Sequence, residues 1–249
     1  MPETVSVIRS DPDLGVGIPP ERIPVAERHC RARVVEIPPG EWSGEVDGID
    51  GSGLGLLLLS GLLCRRVVQG ERYGAELLGS GDLLRPWDHV RQWSSLPTEA
   101  SWTVIEPARM AVLDADFALR ASRFPQLGSQ LLGRVMIRSR YLAILLAIIS
   151  QRRVETRLTM LFWHLADRFG RVHGEWVEIP VPLTHSLLSE LIAARRPSVT
   201  TALSHLQERG VLLRNGRGWR LRGTVPPELL RAAREPLPEP VLSSASSPG

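Results

Sequence analysis

Apolar positions along the chain follow one rhythm up to about residue 113 and another beyond it. From residue 30 to 112 they come in short or alternating runs, at 33–37, 54–59, 62–68, 75–78, 102–106 and 110–113. Glycine or proline follows most of these runs, as in Pro38-Pro39-Gly40, Ser60-Gly61 and Gly79-Ser80-Gly81-Asp82. Short strands at this spacing predict an antiparallel sandwich or barrel. From Phe124-Pro125 onward the punctuation stops, and residues 134–169 contain neither glycine nor proline. This predicts a long helix over 122–151, with Ser122 as its cap and Pro125 in its first turn. A second amphipathic helix follows over 154–169, after a hinge at Arg152-Arg153.

The long helix carries two apolar stripes. Leu132, Val135, Ser139, Leu142, Leu146 and Ile149 alternate by three and four, with Leu131, Ile137, Tyr141, Ile144 and Leu145 running beside them. One stripe can cover the β-rich domain while the other meets the same helix of a second copy. If Pro125 to Ser150 is one helix, its length of about 39 Å suffices for a coiled-coil seam. Burial of both stripes within a single subunit is the alternative.

Between residues 181 and 222 the pattern sharpens. Thr184 is placed to cap a short helix bearing Leu187, Leu188, Leu191 and Ile192. After Ala193-Ala194-Arg195-Arg196, a second short helix begins near Pro197, with Val199, Ala202, Leu203 and Leu206 on its inner side. Two short helices so joined predict a helix-turn-helix. Strands at 211–213 and 219–221 can then pair around Asn215-Gly216, forming a wing. The expected class is thus α+β: an N-terminal antiparallel all-β domain over 21–121, a dimerisation helix over 122–151, and a C-terminal winged helix-turn-helix over 152–222. Flexible ends are expected at 1–20 and 223–249.

The charge distribution gives this last segment its chemistry. All thirty basic residues are arginine, and twelve of them face only six acids between residues 152 and 222. Such a concentration is the footprint of a surface that displaces counterions from phosphates. Arg195, Arg196, Ser198, Thr201 and Ser204 would face outward from the second helix. A guanidinium can grip O6 and N7 of guanine, and hydroxyls can hold phosphates. Arg214, Arg217, Arg220 and Arg222 would line the wing along the backbone. A ligand-sensing roll whose winged helix contacts protein instead of DNA is the alternative function.

Other classes find little support. The apolar run 142–149 is far shorter than the roughly 20 residues of a bilayer span, and no charged-then-apolar leader opens the chain, so a soluble, cytoplasmic protein is expected. Two cysteines, Cys30 and Cys64, supply neither a disulfide framework nor a four-thiolate metal or iron–sulfur site. No nucleophile–base pair or phosphate loop suggests an enzyme, and the six histidines are scattered.

In its order of parts the chain resembles the Crp/Fnr family of bacterial transcription regulators over residues 15–222. The resemblance is most specific in the stretch 183–206, LTHSLLSELIAARRPSVTTALSHL, which aligns without gaps to the family's DNA-binding signature. It implies double-stranded DNA, a second copy of the chain and RNA polymerase as partners, with no membrane. Arg196 falls on the arginine that family members point at a guanine. Pro197 replaces a glutamate often used to read cytosine and Thr201 a second arginine, so the family's best-known operator need not apply. The stretch 77–84 matches the turn that leads into the family's ligand pocket. The chain then reads Arg85-Pro86-Trp87-Asp88 and Pro97-Thr98-Glu99-Ala100-Ser101, without the arginine that pairs with a cyclic phosphate. A phosphate buried without its cation is costly, so cyclic AMP in the usual mode is not expected. Arg85 and Arg91 are the remaining candidates for an anionic ligand, and no spacing favours haem at His29, Cys30 or His89. The effector is left unassigned.

Overall fold

The computed structural model describes residues 3–49, 51–69, 72–87, 99–227 and 229. It opens with β1 (Thr4–Ser6), α1 (Val7–Ser10), two 3-10 turns at Pro12–Gly15 and Pro20–Arg22, and α2 (Ile23–His29). The expected loose arm over 1–20 is therefore corrected for its described part. β1 pairs with β2, and Val7, Ile8, Leu14 and Ile18 are buried in one core with Phe117, Leu127 and Leu131. Asp11 and Asp13 also reach Arg134 at 3.0 and 3.2 Å. Burial of four branched side chains offsets the entropy of ordering so proline-broken a segment.

The sheet continues with β2 (Arg31–Ile37), β3 (Gly40–Trp42), β4 (Gly55–Gln69), β5 (Arg72–Leu78), β6 (Leu83–Leu84) and β7 (Glu99–Leu113). Its strand order is β1-β2-β7-β4-β5, with β3 on β7 and β6 on β4, and every pair is antiparallel. Two expected breaks are instead bends in long strands. Runs 54–59 and 62–68 merge into β4, whose register against β7 slips at Ser60 and Leu62, and runs 102–106 and 110–113 merge into β7. Gly61 makes the bend feasible, since its φ is +103° and a Cβ there would lie 2.4 Å from the Pro107 carbonyl oxygen. Pro107 has no N–H to offer the ladder, so proline and bulge sit together. Inside the roll Leu56, Leu58, Leu63, Leu78, Trp102, Val104 and Met110 form the core. Cys30 and Cys64 are buried free thiols, each pushed up to about 11 by burial.

Helix α3 (Ala115–Ala121), capped by Asp114 through the Phe117 N–H at 2.7 Å, precedes α4 (Pro125–Ile149). Ser122 does not cap the long helix as expected. It closes α3, donating its hydroxyl to the Leu119 carbonyl, and Phe124 stands at the α4 N-cap without a side-chain bond. Then come α5 (Val154–Phe169), β8 (Arg171–His173), β9 (Trp176–Ile179), α6 (His185–Leu191), α7 (Arg196–Glu208), β10 (Leu212–Asn215) and β11 (Gly218–Arg222). The small sheet runs β10-β11-β9-β8. Its core of Leu158, Phe162, Leu188, Leu203 and Trp219 is continuous with Leu62, Cys64, Ala75 and Leu77 of the roll, so the C-terminal unit sits on β4 and β5. Two ion pairs rim this seam, Arg66 to Glu190 at 2.7 Å and Arg168 to Asp82. Most of the expected tail, from residue 230, lies outside the described residues. No described helix is long and apolar enough to cross a membrane.

Candidate nucleic-acid interface

Sequence fixes the geometry of α6 and α7 locally. The Thr184 hydroxyl accepts the Leu187 N–H at 3.1 Å and starts α6. The chain turns at Ala193, whose φ of +50° is the only positive value among the described non-glycine residues. Arg195 is the extended N-cap of α7, and Pro197 occupies its first turn, where a missing N–H costs nothing. Val199, Ala202, Leu203 and Leu206 are buried against α5 and α6, which turns Arg195, Arg196, Ser198, Thr201 and Ser204 outward, all exposed. No acid lies in the first turn, so two guanidinium groups and the positive end of the helix dipole share one surface. The hydroxyls of Thr201 and Ser204 donate back to the carbonyls of Pro197 and Thr200 at 3.2 Å each, leaving their oxygens outward as acceptors.

A left-handed backbone at alanine stores roughly 1–2 kcal/mol. Ala193→Gly is therefore expected to stabilise the protein by about 0.5–1 kcal/mol, net of glycine's greater freedom when unfolded. Urea denaturation measures it; a lower midpoint for the variant would show that this turn is unstrained.

The wing differs in detail from the sequence expectation. Register pairs Asn215 with Gly218, so the two-residue loop is Gly216-Arg217, with Gly216 at φ +55°. Asn215 stays in the strand and donates to Glu178 at 2.7 Å. Arg217 stands exposed at the turn. The other three wing arginines have protein partners. Arg214 donates to the carbonyls of Leu183 at 3.0 Å and Gly216 at 3.2 Å and lies over the Trp219 ring at 4.7 Å. Arg220 and Arg222 lie 3.9 and 3.5 Å from Glu178 and Glu175. Arg214 thus braces the wing, Arg220 and Arg222 stay exposed beside their glutamates, and Arg217 stands at the tip. The β8–β9 hairpin, which the sequence pattern did not announce, supplies those glutamates, Glu178 from β9 and Glu175 from its turn. Gly174, at φ +60° between His173 and Trp176, was the turn signal that could have revealed it.

On α4 the outward stripe carries Leu132, Val135 and Leu146 at 62, 44 and 65% exposure, with Ser139 exposed and Leu142 and Ile149 half-buried. Met136 adds to this face at 63%. The second stripe is corrected: Leu131 is buried and Tyr141 and Leu145 are half-buried, but Ile137 and Ile144 are exposed. The face turned to the protein instead carries Leu127, Leu131, Arg134, Arg138, Leu145 and Ile148, because two arginines find carboxylates there.

Of the anion candidates, Arg85 donates to the carbonyls of Gly53 and Gly51 at 2.6 and 3.1 Å and lies over Trp87, so it holds a loop. Arg91, His89, Pro97 and Thr98 lie outside the described residues. The turn at Gly79 to Asp82 faces α5. Asp82 accepts the Gly79 N–H at 2.8 Å and pairs with Arg168, and a Cβ on Gly79 would lie 2.7 Å from the Phe169 ring. A cavity of about 200 Å³ lies between β5, α4 and α6, walled by Val67, Leu142, Leu145 and Leu191. At its edge Glu76 takes both Arg65 and Arg138 at 2.6 Å, and burial pulls the Arg65 guanidinium below its ordinary value. Among the described residues no group of three or more His, Cys, Asp or Glu converges as a metal site would need.

Fold and interface together define an architecture: a β-roll joined by one long helix to a winged helix-turn-helix. Residues 156–230 match the sequence profile of the Crp-like helix-turn-helix domain. Over 86 residues the chain is 34% identical to the regulatory protein CysR of Synechococcus elongatus, a match spanning 33% of this chain and 42% of that relative's length. Among solved structures, a cyclic nucleotide-binding domain containing protein from Listeria monocytogenes EGD-e superposes with a TM-score of 0.63 at 17% identity, covering 81% of this chain and 93% of the other. A CooA mutant from Carboxydothermus hydrogenoformans gives 0.61 at 14%, covering 82% and 88%. Residues 156–230 thus carry a Crp-like helix-turn-helix domain, and the chain shares its overall fold with these solved structures.

Proposed function

We propose that the protein works as a homodimer that reads a specific, near-palindromic DNA site and regulates transcription from it, under control of a signal received in the β-roll. The observation that carries this reading is the exposed, acid-free start of α7, where Arg195 and Arg196 meet the positive end of a helix braced on its inner face. Two copies paired along α4 through Leu132, Val135, Ser139, Leu142, Leu146 and Ile149 would present two such helices to successive major grooves, about 34 Å apart. In this arrangement Arg195, Ser198, Thr201 and Ser204 hold phosphates and base edges around the guanine taken by Arg196, while Arg217 follows the backbone. RNA polymerase is the further partner implied by regulation.

Mobility shift of a promoter fragment at several salt concentrations tests the reading. A steep fall of affinity with salt is expected, since each neutralised phosphate adds roughly 0.9 to the slope. No shift at micromolar protein would favour a winged helix that binds protein. Arg196→Ala is expected to weaken the preferred site by about 1–3 kcal/mol and relax choice at one base, whereas Arg217→Ala weakens all sequences alike. Equal losses on specific and random duplex for Arg196→Ala would remove it from base reading.

A further inference from the structure

Two helices end against one guanidinium. Neither α4 nor α6 has a basic residue in its last turn, so neither neutralises its own C-terminal carbonyls. Arg157, in the first turn of α5, does so for both. Its Nε donates to the Gln151 carbonyl at 2.6 Å, just past α4. Its Nη1 donates to the carbonyls of Ile192 and Ala193 at 3.1 and 3.2 Å, at the end of α6. Two residues earlier Glu155 pairs with Arg209, the C-cap of α7. The first turn of α5 thus grips the entry to α7 through the Ala193 turn and its exit through Arg209. A planar fork holds acceptors from two segments in one fixed geometry, which an ammonium on a flexible stem does not.

We propose that Arg157 is a positioning residue that sets the angle between α4 and α7, and with it the separation of the two half-sites the protein reads. This rests on the dimeric DNA-reading function proposed above. Arg157 is half-buried with its guanidinium on protein carbonyls, so it acts on the placement of Arg195 and Arg196 and contributes no contact to α7's outward surface. The Ala193 carbonyl it holds belongs to the residue that turns the chain into α7, so a shift there swings the whole helix.

The test uses the full chain as wild type, Arg157→Met and Arg157→Lys. A half-site is first selected from random duplex with the wild type. Affinities are then measured for palindromes whose half-sites are moved by one or two base pairs, for a single half-site and for an unrelated duplex, at several salt concentrations. Arg157→Met is expected to select the same half-site bases and to bind the best palindrome about tenfold more weakly, with a flattened dependence on spacing. Its affinity for the single half-site and the unrelated duplex, and its salt slope, stay at wild-type values. Arg157→Lys keeps the charge and follows Arg157→Met in spacing, and it carries the test if Arg157→Met fails to fold. An unchanged spacing profile, or equal weakening on all three kinds of duplex, overturns the proposal while leaving the DNA-binding function standing. A wild type that enriches no sequence overturns both.

Discussion

Replacing Leu132 and Leu146 together by glutamate is expected to leave a folded monomer whose affinity for its DNA site has fallen at least a hundredfold. Both side chains are mostly exposed, at 62 and 65%, so the subunit loses little when they become charged. Across a two-fold axis, however, the same substitutions set carboxylates against leucines and against one another in a seam that would otherwise be dry, where unpaired charge loses its hydration without compensation. A monomer binds one half-site, and losing the linked second half-site removes a factor of 10²–10⁴ in avidity. Sedimentation equilibrium reads the assembly and fluorescence anisotropy the DNA affinity. A variant that remains dimeric with full affinity would assign this stripe to some other role.

The second large effect is on stability. Trp219 is 1% exposed in the centre of the C-terminal unit, its ring 5.4 Å from that of Phe162, and its Nε1 donates to the Leu183 carbonyl at 3.0 Å. Trp219→Ala removes this ring from beneath Arg214 and leaves a cavity, and is expected to cost about 3–5 kcal/mol. DNA binding is lost with the unfolding of that unit. Trp219→Phe keeps most of the packing, and Leu183 keeps Arg214 as a donor, so about 1 kcal/mol is expected. Urea denaturation followed by circular dichroism separates the two. Equal midpoints for both variants would show that the indole ring does not hold the unit together.

The helix-turn-helix was legible because each of its parts is determined by local chemistry. Thr184 caps α6, the apolar positions of α7 repeat at 3.6 residues, and Gly216 permits the wing turn, with no help needed from distant residues. Tertiary contacts decided what was misread. Val7, Ile8, Leu14 and Ile18 share no period within their own segment, and they become a core through distant residues, among them Phe117, Leu127 and Leu131. Ser60-Gly61 looks like a chain break until Pro107 lies opposite it and turns it into a bulge. The inward side of α4 was mistaken because arginines can line a buried face once Glu76 and Asp11 are there to receive them.

The same distinction applies within the interface. Exposure of Arg195 and Arg196 follows from the burial of Val199, Ala202, Leu203 and Leu206, so a helical wheel was enough to find them. Arg214, in an equally basic stretch, has its guanidinium drawn back onto Leu183 and Trp219. Charge density alone could not separate a bracing arginine from one at the wing tip. Arg157 escaped notice for a related reason: its acceptors are backbone carbonyls, which no side-chain pattern announces.

Nuclease footprinting of the full chain on fragments from its own genome tests the central claim most directly. Two protected patches on one side of the duplex are expected, centred one helical turn apart, in symmetry-related sequence, and lost together in Arg196→Ala. A single patch without symmetry, or protection that does not distinguish these fragments from bulk DNA, would contradict it.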